Sequence, residues 1–223
     1  MELPADIDRL LGPRDVVVVE GADALTYLHS QVSQDLNDQA VGEQRWTFVL
    51  DPTGKVDSLA RITRVADDRF ELDTDAGFGE ALLARIDRFK IRVAADTSLI
   101  PARVRDVPGT TRTGEHDRIV AGWPRMGAEI EPGETIPAGT GLSRIAVSFD
   151  KGCYPGQELV ERMNSRAAEA PKSLRRLTVS EGAAVGDAVL EGDDEVGSLT
   201  SVDGTAALGW VKRGSGVGEV VQF

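Results

Sequence analysis

This 223-residue chain holds one cysteine, two histidines and 5% aromatic residues, and each scarcity excludes something. Cys153, being single, cannot close an intramolecular disulfide. One Cys with His29 and His116 supplies too few soft donors for a metal centre, so no metal site is expected. Neither histidine lies near the cysteine in sequence, which leaves a Cys-His nucleophile pair without support. The few aromatics mean that aliphatic side chains must fill most of the core. No apolar run approaches the length needed to span a membrane. The opening, MELPADIDRLLGPRD, lacks the basic start and apolar run of a secretory signal. A reducing cytoplasm is the expected location. Internal repeats and low-complexity blocks are missing too.

What is present is acidic and globular. Asp and Glu total 37 against 25 Lys and Arg, a net charge of −12. Such a surface repels nucleic-acid phosphate and anionic lipid at long range, so neither is an expected partner. Hydrophobic residues at 41% suit a soluble folded chain long enough for one large domain, or for a medium and a small one.

Local patterns place the elements. Val16 to Val19 is a β-branched run that reads as a buried strand. Asp23 is set to cap a helix carrying Leu25, Leu28 and Val32 at helical spacing. A strand over 45–50 ends at the turn Asp51-Pro52-Thr53-Gly54. Segments 56–65 and 69–72 flank Asp67-Asp68 as a hairpin. Thr74-Asp75 is expected to open a second helix with Phe78, Leu82, Ile86 and Phe89 on one face. Segment 109–141 reads as long loops around one strand at 118–121, and 143–149 reads as another strand. A helix is predicted from about Gly156 through Met163. Segment 164–172 reads as a linker, and beyond it short strands separated by Gly and Asp suggest a small antiparallel barrel. Strands and helices mix without regular βαβ alternation, so the fold class is α+β, with domains at 1–168 and 172–223. A barrel of about fifty residues is expected to lean on the first domain.

The segment richest in chemistry is Asp150-Lys151-Gly152-Cys153-Tyr154-Pro155-Gly156-Gln157-Glu158. Gly152 and Gly156 allow backbone angles closed to other residues and close approach of a ligand. Pro155 stiffens the loop. Lys151 and the N-terminus of the following helix both favour a thiolate at Cys153. A lone cysteine is otherwise more often an inert core residue.

Lys151-Gly152-Cys153-Tyr154-x-Gly156-Gln157-Glu158 resembles the K-G-C-[FY]-x-G-Q-E signature of YgfZ-type folate-binding proteins, a group within the GcvT, or aminomethyltransferase-like, superfamily. Arg162 is similar to the Arg that commonly follows. Weaker matches run in the same order along most of the chain. They include Gly21-Ala22-Asp23, Gln31-Val32-Ser33-x-Asp35, Pro52-Thr53-Gly54-Lys55, Phe89-Lys90-Ile91-Arg92, Ile136-Pro137 and Val196-Gly197-Ser198-Leu199-Thr200-Ser201. The resemblance implies a GcvT/YgfZ-like folate-binding domain with a small C-terminal barrel. It also implies tetrahydrofolate or a derivative as cofactor. The implied role is assistance in iron–sulfur cluster assembly or repair, with iron–sulfur enzymes or assembly proteins as partners and an indirect link to tRNA modification. Cys153 and Lys151 would be the catalytic pair of the loop. Gln31, Asp35, Ser58, Trp123 and Glu129 are the candidate folate contacts.

Two positions depart from the transferase pattern. Aligned on Gly54, the catalytic Asp of the aminomethyltransferases falls on Ser58, and a hydroxyl is no carboxylate base at neutral pH. Asp57 is one residue away, and regular strand alternation would turn it to the opposite face. Arg118-Ile119-Val120-Ala121-Gly122 resembles a superfamily strand in which Val120 replaces a Glu. A binding protein is therefore expected in place of a transferase. The alternatives are a folate-dependent one-carbon transferase and an adaptor that has lost folate.

Overall fold

The computed structural model describes residues 7–103, 113–165 and 170–223. Four consecutive valines sit at its centre. They lie in β1 (Arg14–Glu20), which is buried except at its last residue. A β-branched run buried on both faces is what such a position requires. β1 pairs antiparallel with β4 (Arg69–Asp75) on one side and with β5 (Asp96–Arg103) on the other. β2 (Gln44–Leu50) and β3 (Val56–Ala66) complete a five-stranded sheet of order β2-β3-β4-β1-β5.

One face of this sheet is covered by α1 (Ala24–Gln31) and α2 (Gly79–Asp87). Tyr27, Leu28, Leu82 and Ile86 pack there against Val17, Val19, Ile62, Phe70 and Leu72. The other face presents Trp46, Phe48 and Leu59 to a second cluster. That cluster gathers Ile119 of α3 (Thr113–Ala121) and Trp123. It also includes Val160 of α5 (Gln157–Ser165) and Leu174, Leu208, Val221 and Phe223 from the C-terminal part.

The C-terminal strands are β6 (Lys172–Thr178), β7 (Ala188–Glu191), β8 (Asp194–Asp203), β9 (Ala206–Lys212) and β10 (Glu219–Val220). The expected barrel is a five-stranded antiparallel sheet of order β10-β6-β9-β8-β7, and its outer strands β10 and β7 are edges among the described residues.

Several expectations are corrected. Segment 118–121 is the end of α3, not a strand: Arg118 and Ile119 are buried, Val120 is 53% exposed, and Arg118 pairs with Glu115 three residues back. Segment 143–149 begins as the short helix α4 (Ser143–Ala146). Its carbonyls at Ile145 and Ala146 accept from Gln34 and Ser33 side chains, so no sheet partner is needed. α2 starts at Gly79 behind Phe78, whereas Thr74 and Asp75 still belong to β4. Phe89 lies past the end of α2 and is 41% exposed, off the buried face. Asp23 holds the N-cap position of α1, but its carboxylate accepts from the Ala94 N–H instead of from its own helix. The predicted linker at 164–172 falls partly outside the described residues.

Candidate functional site

The cysteine loop is built onto the end of β2 by backbone contact. Gly156 has φ +81°, and a methyl group there would lie 2.5 Å from the Asp51 carbonyl oxygen and 2.9 Å from the Gly54 Cα. Gly54 has φ +90°, and its own missing methyl would meet Leu159 Cβ at 2.5 Å and the Gly156 carbonyl at 2.8 Å. Two left-handed glycines thus touch, one from the turn after β2 and one from the loop before α5. No other residue type fits either position without displacement. Gly152 differs: nothing lies within 4 Å of its missing Cβ.

Lys151 ties the same loop to α1. Its Nζ donates to the carbonyls of His29 at 2.5 Å, Val32 at 2.6 Å and Gln34 at 3.0 Å. The first two are free acceptors at the C-terminal end of α1, Gln34 follows just beyond it, and an ammonium matches the three in charge and donor number. Burial pushes the Lys151 pKa down to about 8, while the nearby Asp35 carboxylate pulls the other way. Lys151 is therefore an anchor. All three of its donor directions are engaged by these carbonyls.

Tyr154 packs in the cluster shared with the C-terminal sheet, and its ring centroid lies 5.1 Å from Lys151 Nζ. Its buried hydroxyl has no hydrogen-bond partner among the described residues, and burial pushes the phenol pKa up. Between these two fixed residues Cys153 is exposed. Gln157 bonds weakly to Glu161, and Glu158 pairs with Arg162 along the outer face of α5. These last matched residues of the signature therefore serve the helix surface.

Around the end of β2 a polar group assembles that sequence reading missed in part. Arg85 of α2 is 5% exposed in its side chain and donates twice to the Leu50 carbonyl, at 2.7 and 3.2 Å. It reaches Gln31 Oε1 at 3.4 Å and Asp57 Oδ2 at 3.3 Å. Desolvation lowers the Arg85 pKa against the pull of Asp57. The available signal was an arginine at helical spacing between Leu82 and Ile86, on a face that otherwise buries aliphatics.

Asp57 reaches Arg85 because β3 is irregular. Val49 pairs with Ser58 and Leu50 with Val56, so Asp57 is left out of the ladder as a β-bulge. The expected strand alternation is broken there, and the carboxylate turns to α2. Burial raises the Asp57 pKa, opposed by Arg85. Ser58 itself is 2% exposed, and its hydroxyl bonds to Thr74 Oγ1 at 3.1 Å.

The remaining candidates are placed elsewhere. Gln31 joins the Arg85 group. Asp35 stands 3.5 Å from His29 Nδ1 and accepts from the Asn37 N–H. Trp123 is 2% exposed, with Trp46 at 4.6 Å and Phe223 at 5.3 Å between ring centroids. Glu129 is 1% exposed and takes donors from Arg118, the Arg125 N–H, Thr200 and Ser201. Both are held in the core. Among the described residues, no group of three or more His, Cys, Asp and Glu is placed to hold a metal ion. No described helix is long and apolar enough to cross a membrane.

The overall arrangement matches a known fold. The crystal structure of glycine cleavage system aminomethyltransferase T from Bartonella henselae superimposes with a TM-score of 0.72. It covers 89% of this chain and 76% of its own, at 16% sequence identity. The chain thus has the aminomethyltransferase T fold. An uncharacterized protein of Haemophilus influenzae is 27% identical over 189 residues, which are 69% of this chain and 67% of that protein. No protein-family model matches the chain.

Proposed function

We propose that this protein binds tetrahydrofolate or a derivative and assists the assembly or repair of iron–sulfur clusters through Cys153. Its link to tRNA modification is then indirect, by way of the enzymes that need those clusters. The observation that carries the reading is the cysteine loop. An exposed thiol is held in place by a buried lysine on one side and a glycine–glycine contact on the other. The YgfZ-like signature supports the whole reading, and the aminomethyltransferase T fold supports its folate part. The protein acts in the cytoplasm on protein partners, without direct nucleic-acid or membrane binding, and its net charge of −12 favours that.

Aminomethyl transfer is not proposed, because Ser58 is buried on Thr74 and offers no carboxylate. The residues at the end of β2 fit a folate ring in one respect: Asp57, its side chain 30% exposed, is a carboxylate acceptor for a ligand rich in N–H donors. Calorimetric titration with tetrahydrofolate is expected to give micromolar-range binding, roughly 8 kcal/mol. Cys153→Ser should keep that affinity and fold, yet fail to rescue cells with an iron–sulfur-enzyme defect. Absence of heat and of thermal shift at millimolar ligand would remove folate and favour an adaptor role. Full rescue by Cys153→Ser would make the thiol dispensable.

A further inference from the structure

Two loops leave the same end of the helical layer. α1 ends at Gln31 and α2 at Asp87, and the contact of Arg85 with Gln31 at 3.4 Å sets these ends side by side. The cysteine loop is tied to the end of α1 by Lys151. The end of α2 continues into Arg88-Phe89-Lys90-Ile91-Arg92. Leu50 joins the two again. Its carbonyl accepts from Arg85, and its Cβ lies 2.9 Å from the missing methyl of Gly156. The exposed thiol and the second loop therefore border one end of the molecule.

That second loop is apolar, basic and fixed. Ile91 is 78% exposed, more than any other large apolar residue described, and Phe89 is 41% exposed. Lys90 Nζ holds Thr97 Oγ1 at 2.8 Å and Asp87 at 2.9 Å. The Ala94 N–H and carbonyl are both bonded to Asp23. Between these tethers Arg92 has φ +57°, in a region that costs energy for any residue with a side chain. An apolar pair is thus presented already ordered, which lowers the cost of binding. Asp87 answers the charge of Lys90. Arg88 lies over the Phe89 ring at 5.6 Å, and neither Arg88 nor Arg92 has an ion-pair partner among the described residues. A chain of net charge −12 carries here two apolar side chains flanked by unneutralised arginines. Aromatic residues and arginine are enriched where proteins meet.

We propose that loop 88–92 docks an acidic face of the partner protein whose iron–sulfur site Cys153 serves. The proposal rests on the cysteine reading. Phe89 and Ile91 supply the apolar contact, and Arg88 and Arg92 meet carboxylates at its rim. A partner seated there lies against the same end of the molecule as the thiol. Most of this surface repels an acidic protein at long range, and the loop is where one can land.

The test places p-benzoylphenylalanine, a photo-crosslinker, at position 91 in cells that need this protein for an iron–sulfur enzyme. Val65, 41% exposed at the far end of β3, is the control position. Position 91 should give one adduct and position 65 none. Mass spectrometry should identify an iron–sulfur enzyme or assembly protein, joined through a segment rich in Asp and Glu. Arg88→Glu with Arg92→Glu should abolish both adduct and growth rescue, while Arg88→Lys with Arg92→Lys keeps both. Melting curves and iodoacetamide labelling of Cys153 should match wild type in each variant, and Ile91→Ser, read by rescue, stands in if the Glu pair does not fold. No adduct, adducts with unrelated proteins, or adduct and rescue that survive charge reversal overturn the proposal. So does binding of wild type to phosphatidylglycerol–phosphatidylcholine vesicles that the Glu pair loses, since the loop is then a membrane contact. Full rescue by Cys153→Ser is a different result. It removes the cysteine reading, and the adduct at 91 then decides alone whether the loop docks a protein.

Discussion

Lys151 is a charged residue at 9% exposure, and its surroundings explain how that is tolerated. Three carbonyls at the end of α1 replace its water shell. Burial nonetheless lowers its pKa from 10.5 to about 8. The unfolded chain then holds a proton that the folded protein releases between about pH 8 and 10.5. The unfolded state binds more protons across that window, so this group makes stability rise with pH there. Below pH 8 the folded state carries the full cost of burying the ammonium. Lys151→Met should lose this rise. Urea melts of both proteins from pH 7.5 to 10.5 should show wild type gaining on the variant by up to about 3 kcal/mol, less what the carbonyls return by favouring the ammonium. A constant difference between the two would mean that Lys151 titrates in the fold as it does in water. From sequence, the lysine stood two residues from the thiol and was assigned to it. Its real partners are 117 to 122 residues away, a distance that no local pattern reveals.

At the scale of elements, the loop between α4 and α5 depends on one of its two glycines. Gly156→Ala places a methyl group on the Asp51 carbonyl in a left-handed conformation. Strain and overpacking together should cost roughly 2–4 kcal/mol and loosen the loop from the turn after β2. Gly152→Ala, with open space around it, should stay within about 0.5 kcal/mol of wild type. Urea midpoints of the two variants decide this, and equal effects would refute the contact. The signature located this loop from sequence, but composition treats both glycines alike. The bulge at Asp57 was hidden for a related reason: strand register is set by what β2 and α2 offer across space, while Val56 to Ala60 alone reads as regular. The buried strand β1 was legible as a continuous β-branched run, and both central hairpin strands were legible because apolar, β-branched segments flank the Asp67-Asp68 turn. Short apolar runs such as 118–121 were not, since a helix end and a strand look the same over four residues.

At the scale of the whole molecule, the C-terminal sheet is joined to the rest by a buried charge pair as well as by apolar packing. Arg118 Nη1 meets Glu129 Oε2 at 2.9 Å, with side chains 2% and 0% exposed. Ser201 of β8 accepts from Arg118 and donates to Glu129, and Trp210 of β9 donates to the Glu129 carbonyl. Two residues of α3 and its following loop therefore hold two strands of the second sheet. Trp123 and Phe223 pack beside them in a shared cluster. Elements joined in this way should unfold together. Glu129→Ala leaves a buried guanidinium with only Glu115 to balance it and removes the acceptor that Thr200 and Ser201 share. Removing one partner of such a pair costs about 3–5 kcal/mol. That loss should appear in one transition, with tryptophan emission and far-UV circular dichroism moving at the same urea concentration. Trp46, Trp123 and Trp210 all report the shared cluster, and Trp210 of β9 reports the second sheet as well. If Glu129→Ala instead splits the curve, with the dichroism of the second sheet lost ahead of the emission change, the C-terminal strands are a separately folding unit. The polar bridge would then be only its dock.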